Sequence, residues 1–442
     1  MIALTGAEVH LRTGAWYSEQ QLPLRFPPQW PVRTLWPRTP PPISDAQIAE
    51  ALEHPVLQPP LRDLCRGKSR PLLIVDDLSR PTPTACVIPF LLRHFKQANI
   101  PAEQVTILMA TGMHGAPPAD AIRKKVGSEA AASCRLIVHD ATRGVKKLGR
   151  TSFGTPVYVN REVVRSDVVI GIGGVYPSCN TGFGGGSKLV LGILGQASIF
   201  RLHSFHADVG WGVWQPECSF RKDLDEIADM IGLRSIVCLH VDAEREIVRI
   251  SCGDVHTVFQ EGAAFSRKVY GTVAPGDSDA VICNAYPWDI SLFFARAKAG
   301  NPFSRCKPGA SRILVASCSE GVGYHGLFSP TSPLQGPIRQ LAMRLSVLTP
   351  GEITSRIARR LRKPKVARKT VAVVLQQAEP RHPIWLYRPG AQSPKLPSPI
   401  AGTEVQACWR EILTRVQAEQ GGRKHLKVII YPCSPLQFLD LE

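Results

Sequence analysis

Short apolar runs alternate with amphipathic stretches along this chain, and that alternation restricts the possible folds more than any other feature. Amphipathic, helix-like patterns follow several of the runs, for example CVIPFLLRHFKQAN at 86–99 and DAIRKKVG at 120–127. Strands alternating with helices predict a doubly wound α/β domain, whose ligands bind beyond the carboxyl ends of the strands. The runs that resemble buried parallel strands are PLLIVDD at 71–77, QVTILMATG at 104–112, CRLIVHDA at 134–141 and SDVVIGIGG at 166–174.

The same pattern begins again in the second half of the chain. SDAVICNAYPWD at 278–289 starts a new strand, loop and helix sequence, and 442 residues are many for a single core. We therefore predict an α/β fold of two domains with mainly parallel sheets, the first covering residues 1–270 and the second 271–442. The proline-rich tract at 26–42 predicts an extended surface connection, and EVQACWREILTRVQAEQ at 404–420 predicts a helix.

Composition limits the function classes. The formal charge of +17 suggests an anionic ligand, but the basic segment at 356–369 contains no aromatic residues to stack on bases, so nucleic acid is an unlikely partner. No apolar run reaches eighteen residues, and the start lacks the features of a signal peptide, so we expect no membrane span and a cytoplasmic location. The 12 cysteines form no CxxC pair and predict reduced thiols.

One glycine-rich stretch, TGFGGGSKLVLGI at 181–193, places Lys188 at the start of an apolar segment. The glycines predict a tight turn that a bulky group could approach closely, and Ser187 is suited to a helix N-cap. The spacing does not fit a phosphate-binding P-loop. Lys188 is therefore either a reactive amine, acting as a nucleophile or a covalent tether, or a solvent-facing lysine in a glycine-rich turn.

Several chemically useful side chains follow the predicted strand ends. Arg80 could bind a carboxylate with two hydrogen bonds, or could pair with a neighbouring aspartate, Asp76 or Asp77. His114, in ATGMHG, could be a general base or a structural histidine. His203 and His206 are spaced to share a helix face as metal ligands, although a metal held by one of them, or by neither, is the more probable arrangement.

Six segments together, in order and spacing, resemble the nickel-dependent lactate racemase family. The resemblance extends to about Gly323. The segments are DDLSRPTP at 76–83, ATGMHG at 110–115, TSFGTPVYVN at 151–160, GFGGGSKLVLGI at 182–193, SIFRLH at 198–203 and YPWDISL at 286–292.

The resemblance implies two α/β domains with the active site in the cleft between them, and a covalent nickel pincer nucleotide (a pyridinium-3,5-dithiocarboxylate-type mononucleotide). It implies that Lys188 is the covalent tether, that His203 binds the nickel and that His114 is one of two catalytic histidines. A loop of Asp77, Leu78, Ser79 and Arg80 would hold the cofactor and substrate region, with Arg80 on the substrate carboxylate. The implied reaction removes the hydroxyl proton and the α-hydride of a 2-hydroxy acid and returns the hydride to the other face.

Two departures from the family pattern affect the predicted reaction. Ser178 occupies the position of the second catalytic histidine, and a serine needs an adjacent base to act as one. Tyr176, Cys179 or a histidine from elsewhere could substitute for it. In the second domain Phe294 and Ala297 replace a glutamine and a lysine of the family, which leaves Lys298 as the cofactor-binding lysine one position later. Lactate is therefore a doubtful substrate, and a larger or more apolar 2-hydroxy acid is favoured.

The sequence thus predicts a racemase or epimerase of a 2-hydroxy acid, with partners limited to that small molecule and the enzymes that make the cofactor. The alternatives are a degenerate relative that binds cofactor or ligand without turnover, and an enzyme that transfers hydride at one face only.

Overall fold

The computed structural model describes residues 3–323, 325, 383–388, 396 and 402–439. The basic segment at 356–369 and the predicted strand TVAVVLQ at 370–376 lie outside these residues. Within the described ranges no helix is both long and apolar enough to cross a membrane.

Strands and helices alternate through the described residues as the sequence pattern predicts. The strands are β1 (Glu8–Thr13), β2 (Gln20–Arg25), β3 (Val32–Thr34), β4 (Pro71–Asp76), β5 (Thr106–Ala110), β6 (Arg135–Val138), β7 (Val145–Arg150), β8 (Pro156–Asn160), β9 (Val168–Gly174), β10 (Pro177–Ser178), β11 (Gly182–Phe183), β12 (Leu233–Val241), β13 (Ile247–Gly253), β14 (Gly271–Thr272), β15 (Ala280–Asn284), β16 (Ser311–Val315), β17 (Ile384–Tyr387), β18 (Thr403–Gln406), β19 (Val428–Tyr431) and β20 (Phe438–Leu439). The α-helices are α1 (Asp45–Glu53), α2 (Leu61–Leu64), α3 (Ile88–Gln97), α4 (Ala119–Val126), α5 (Ser128–Ser133), α6 (Arg161–Arg165), α7 (Gln196–Phe205), α8 (Ser219–Met230), α9 (Val255–Tyr270), α10 (Leu292–Ala299) and α11 (Trp409–Glu419). Short 3-10 helices span Thr84–Cys86, Ala102–Gln104, Gly186–Ile193 and Asn301–Arg305.

The described residues form two compact units. The first unit consists of Pro40–Arg267 and His325, and the second contains the described residues of Met1–Thr39, Lys268–Tyr324 and Arg368–Glu442. The change from one unit to the other near residue 268 lies close to the predicted domain boundary, whereas the first 39 residues pack with the later part of the chain. Each unit contains one six-stranded sheet.

The sheet of the first unit has the order β13-β12-β9-β4-β5-β6, and all neighbours are parallel except β12 and β13. On one face its apolar side chains pack with α1, α3 and α4 around Leu91 and Phe95, which are almost completely buried. On the other face the 3-10 helix Gly186–Ile193 and α8 cover the sheet. Cover on both faces confirms the doubly wound α/β architecture of this unit.

Glycines in β9 make room for the lysine segment. A Cβ atom at Gly171 would lie 2.7 Å from Cδ2 of Leu189, which belongs to the 3-10 helix Gly186–Ile193. A Cβ atom at Gly173, two residues on and therefore on the same sheet face, would be 3.9 Å from the other methyl group of Leu189. Gly171 thus lets this helix lie directly on the sheet, whereas a Cβ atom at Gly173 would be in ordinary van der Waals contact.

The second unit contains the parallel sheet β18-β17-β16-β15-β19-β3. The prediction that residues 26–42 form only a surface connection was wrong, because Val32–Thr34 pairs with β19 and both Phe26 and Trp30 are buried. The helix predicted from residue 404 begins only at Trp409. Residues 403–406 instead extend the sheet beside β17, as their alternating β-branched residues allow.

Candidate active site

The turn after β4 holds four of the predicted site residues. The Oδ1 atom of Asp77 accepts hydrogen bonds from the backbone nitrogen of Ser79 at 3.1 Å and from its hydroxyl at 2.5 Å. Arg80 folds back over the turn, and its Nη1 donates to the carbonyl and hydroxyl oxygens of Ser79, each at 2.9 Å. Leu78 is 1% exposed and anchors the turn in the core. Asp77 and Arg80 are therefore presented on a compact, tightly bonded turn.

His114 lies beside this turn, at the end of the neighbouring strand β5. Its Nδ1 is 2.5 Å from Oδ2 of Asp77. Burial opposes ionisation of the Asp77 carboxyl, but the adjacent His114 and Arg80 outweigh it and lower the pKa of Asp77 below its usual value. An ionised Asp77 carboxylate accepts a hydrogen bond from Nδ1–H, which leaves Nε2 as the ring nitrogen that can accept a proton. His114 thus has the arrangement of an oriented general base.

A buried ion pair supports the turn from behind. Nζ of Lys125, a residue of α4 with no exposed side chain, is 2.6 Å from Oδ1 of Asp76 and 2.8 Å from the carbonyl oxygen of Thr82. The Thr82 hydroxyl donates to Oδ2 of Asp76 at 2.6 Å. Burial raises the pKa of Asp76 and lowers that of Lys125, while their contact favours both charges. Lys125 is thus the ion-pair partner of Asp76, although the charge of Arg80 also favours ionisation of this carboxyl.

Lys188 points back toward the hairpin of β10 and β11. Only 8% of the residue is exposed, and its Nζ donates to Oγ of Ser178 at 2.9 Å and to Oδ1 of Asn180 at 3.4 Å. The alternative of a solvent-facing lysine is therefore excluded. Ser178 pairs with Gly182 across the hairpin, which explains how a residue ten positions earlier reaches the lysine.

The prediction that Ser187 caps a helix was wrong. The N-cap residue of the 3-10 helix is Gly185, with no side-chain cap, and the Ser187 hydroxyl instead donates to Oδ1 of Asp225 in α8. Gly185 and Gly186, which directly precede Ser187, both have a positive φ, +78° and +58°. Protein fills the space beside both, since their Cβ atoms would lie 2.6 Å from the Gly174 carbonyl and 2.7 Å from Cβ of Phe259. Backbone conformation and packing account for both glycines.

Arg221, in α8, fixes the glycine run from the side. This residue is 2% exposed, and its guanidinium donates to the carbonyl oxygens of Phe183 at 2.7 Å and Gly185 at 2.8 Å. Burial lowers the pKa of Arg221 to about 10. Neither Arg221 nor Lys125 was predicted from the sequence. Helical spacing could have indicated both, because Lys125 lies between Ile122 and Val126 on the apolar face of α4.

The two candidate metal-binding histidines have different surroundings. Nδ1 of His203 is 2.9 Å from the carbonyl of Ile199 one turn earlier, so Nε2 bears the lone pair of the neutral ring. His206 follows the end of α7 and is fixed by Oδ2 of Asp223 and Oγ of Ser219, both at 2.9 Å. The structure therefore gives His206 a structural role and leaves His203 as the candidate ligand.

Phe220 connects the candidate ligand with the lysine. Its ring makes an edge contact with the His203 ring at 5.3 Å, and Nζ of Lys188 lies 5.8 Å from its centroid. Among the described residues, no group of three or more His, Cys, Asp or Glu side chains is arranged to hold a metal ion. A metal at His203 would consequently need most of its ligands from a bound molecule. The nearby amine of Lys188 could hold such a molecule covalently.

The second unit contains the other predicted site residues. Asp289 of YPWDISL is completely buried and accepts hydrogen bonds from the backbone nitrogens of Gly14 at 2.7 Å and Ser317 at 3.2 Å, so it anchors two loops. On α10, Phe294 is buried and Lys298 is half-buried. The cofactor-binding role of Lys298 stays a prediction.

Sequence comparison relates the chain to two characterised proteins. Residues 17–210 match the lactate racemase N-terminal domain. The lactate racemase of Thermoanaerobacterium thermosaccharolyticum is 27% identical over 292 residues, which cover 64% of this chain and 67% of that protein. The lactate racemase of Lactiplantibacillus plantarum is 25% identical over 308 residues, which cover 67% of this chain and 71% of that protein.

Solved structures share the fold. The lactate racemase apoprotein from T. thermosaccharolyticum superposes with a TM-score of 0.69 at 21% identity, over 98% of this chain and 100% of that one. A protein from Thermotoga maritima gives a TM-score of 0.58 at 15% identity, over 91% of this chain and 100% of that one. The chain is thus similar to the lactate racemases, and residues 17–210 match the N-terminal domain of that family.

Proposed function

We propose that this protein racemises or epimerises a 2-hydroxy acid, with a nickel pincer nucleotide held covalently at Lys188 and through its nickel at His203. The observation that carries the proposal is the Asp77–His114 pair at 2.5 Å beside Arg80, at the carboxyl ends of β4 and β5. In parallel α/β sheets this edge is where substrates bind. The sequence relatives, which are lactate racemases, support the same reaction class.

Arg80 would bind the substrate carboxylate. A guanidinium offers five N–H donors in a planar fork, and the two bonds that Nη1 makes to Ser79 leave the other nitrogens to meet a carboxylate. Because Asp77 and Ser79 fix the turn, the bound acid would be held in one orientation. That orientation would place its hydroxyl group near the imidazole of His114.

His114 would accept the hydroxyl proton of the substrate at Nε2 and later return it. Asp77 keeps Nδ1 protonated and stabilises the imidazolium that forms. This arrangement requires Asp77 to be ionised, and its lowered pKa supports that state at neutral pH. His114 is thereby the proposed general base, and Asp77 positions it.

The residues around Lys188 fit the cofactor that the family resemblance implies. The buried amine of Lys188 could form the covalent link, Phe220 would lie beside the attached group, and Nε2 of His203 could bind the nickel. When bound, the nucleotide supplies a hydride acceptor for the α-hydrogen of the substrate. Lys298 is proposed as a further cofactor contact, and the enzymes that make the cofactor are the proposed partners, which agrees with the predicted cytoplasmic location.

A second candidate function is hydride transfer at one face, or cofactor binding without turnover. Ser178, at the position of the second histidine, accepts a hydrogen bond from Lys188, and that amine would be consumed by the proposed covalent link. Lactate is the less favoured substrate, since Phe294 and Ala297 replace polar residues of the family pattern.

Enantiopure acids test the proposed function. The protein is produced together with the cofactor-making enzymes and incubated with each enantiomer of lactate, 2-hydroxybutyrate and mandelate, while optical purity is followed. We expect a loss of optical purity with at least one acid, together with a covalent mass increase that disappears in Lys188→Ala. Unchanged purity with every acid would refute racemisation. An adduct without turnover would favour the binding function instead.

A further inference from the structure

His325 lies directly against the proposed base. The backbones of His114 and His325 form an antiparallel bridge, and their imidazole rings are in edge contact with centroids 4.8 Å apart and planes inclined by 62°. Both residues belong to the first unit, and both rings are only partly exposed. The structure therefore brings two imidazoles together at the Asp77 turn, although the residues are 211 positions apart (325 minus 114).

A racemase has to handle the hydroxyl proton of two mirror-image substrates. If Arg80 fixes the carboxylate, the hydroxyl groups of the two enantiomers point in different directions, and one rigid imidazole is correctly placed for only one of them. Ser178 is poorly suited to be the second base, because a serine needs an adjacent base and the amine beside it, Lys188, would be consumed by the proposed covalent link. A second imidazole from another part of the chain would supply what that position lacks.

We propose that His325 is the second acid–base residue of this site and replaces the function lost at position 178. The inference rests on the proposed racemase function. His325 takes the hydroxyl proton from the enantiomer that His114 does not serve, and the bound cofactor would supply the acceptor to which the α-hydrogen leaves with its electron pair. The product of this half-reaction is the 2-keto acid. Return of the hydride to the opposite face and of a proton to oxygen completes the inversion, so no external oxidant or reductant is consumed.

The contacts of His114 hold both rings beside the Asp77 turn. With Nδ1 bound to the carboxylate, His114 has a fixed orientation, and its ring edge packs on His325. Contact between the rings holds the two bases near one substrate oxygen. The substrate oxygen would move only a short distance between these two adjacent imidazoles, compared with the distance to a base elsewhere in the site.

The test compares His325→Ala and His325→Gln with His54→Gln in holo-protein. His54 is a suitable control because its side chain is 73% exposed and pairs only with Glu50 on α1 in the described contacts. We expect both His325 variants to keep the covalent adduct and the circular dichroism of the parent, and to lose racemisation by roughly 100-fold or more. Imidazole in the buffer should raise the racemisation rate of His325→Ala at least tenfold. His54→Gln should behave like the parent.

The outcomes separate the two levels of the proposal. Activity of both His325 variants within threefold of the parent would overturn the assignment of His325 while leaving the racemase function intact. Loss of activity that imidazole does not restore would also overturn it, because a purely structural ring gives that result. Failure of the parent holo-protein to invert any acid would refute the proposed function itself, and the role of His325 with it.

Discussion

The charge on Asp77 determines what His114 can do. The carboxylate accepts a hydrogen bond from Nδ1–H of His114 at 2.5 Å and is also bound by the Ser79 hydroxyl. An amide in its place could donate to Nδ1 and favour the wrong tautomer, and it would not stabilise the imidazolium. The activity of the site should therefore depend on this one charge.

Asp77→Asn is expected to lower the racemisation rate of the holo-protein by roughly 100-fold or more while leaving the fold unchanged. The rate is measured per mole of covalent adduct, so that a loss of cofactor loading is not mistaken for a loss of catalysis. Asp120→Asn is the matched control, since the Asp120 side chain is 94% exposed on α4. A rate for Asp77→Asn within fivefold of the parent would contradict the role given to Asp77.

Asp77, Arg80, His114 and Lys188 could be predicted as site candidates, because each follows a strand end, where a parallel sheet collects its functional groups. The contact of His325 with His114 could not be predicted, since no periodicity relates that residue to the strands. Lys125 was also missed, because a lysine within DAIRKKVG is usually solvated. Only its position between two buried apolar residues indicated burial.

At the scale of elements, α4 is tied to the Asp77 turn by the Asp76–Lys125 pair. Both groups are buried, so removing the lysine leaves an uncompensated carboxylate in the core. Lys125→Met is expected to lower the free energy of unfolding by about 3 to 5 kcal/mol. Urea denaturation measures the change.

The double variant Asp76→Asn, Lys125→Met should recover part of that loss, because it removes the unpaired charge. A single variant as stable as the parent, or a double variant less stable than the single one, would contradict the existence of this ion pair.

The glycine run before Lys188 is a second element-scale feature. Gly186→Ala would place a Cβ atom 2.7 Å from Cβ of Phe259 at a φ of +58°, whereas Gly67 has a φ of +75° and no atom within 4 Å of its Cβ position. Gly67→Ala should thus cost only the backbone term of about 1 kcal/mol. Gly186→Ala should cost about 2 kcal/mol more, because Phe259 has to move. Equal shifts of the two urea midpoints would contradict the packing account.

For the whole molecule, the pattern of alternating strands and helices predicted the α/β class and the mainly parallel sheets. It did not predict that β3 completes the second sheet, because three residues within a proline-rich tract pair with β19 almost 400 positions later. Nonlocal pairing of so short a strand leaves no local signal. The resulting second unit combines the start and the end of the chain.

Stability of the whole molecule should depend on pH through two buried histidines of the first unit. Burial lowers the pKa of His139 to about 4 and that of His240 to about 3, against about 6.5 in an unfolded chain. Between these values the unfolded chain binds more protons than the folded one, so stability falls as the pH falls from 6.5 toward 4. Each histidine should contribute up to about 1.4 kcal/mol per pH unit.

Urea denaturation at pH 7.5, 6.5, 5.5 and 5.0 measures this slope above the range in which ordinary carboxylates titrate. His240→Gln should flatten the slope, whatever its effect on absolute stability, and His54→Gln should leave it unchanged. A parent slope that is flat between pH 6.5 and 5.0 would contradict the buried neutral state of these histidines.

The central claim is that the α-hydrogen leaves and returns as a hydride while imidazoles handle only the hydroxyl proton. The most direct measurement incubates holo-protein in ordinary water with one enantiomer of an α-deuterated 2-hydroxy acid that it inverts, and determines deuterium in the inverted product by mass spectrometry. The account predicts that the inverted product retains its deuterium. An inverted product that carries hydrogen from water would mean that the α-hydrogen is removed as a proton, and would contradict the account.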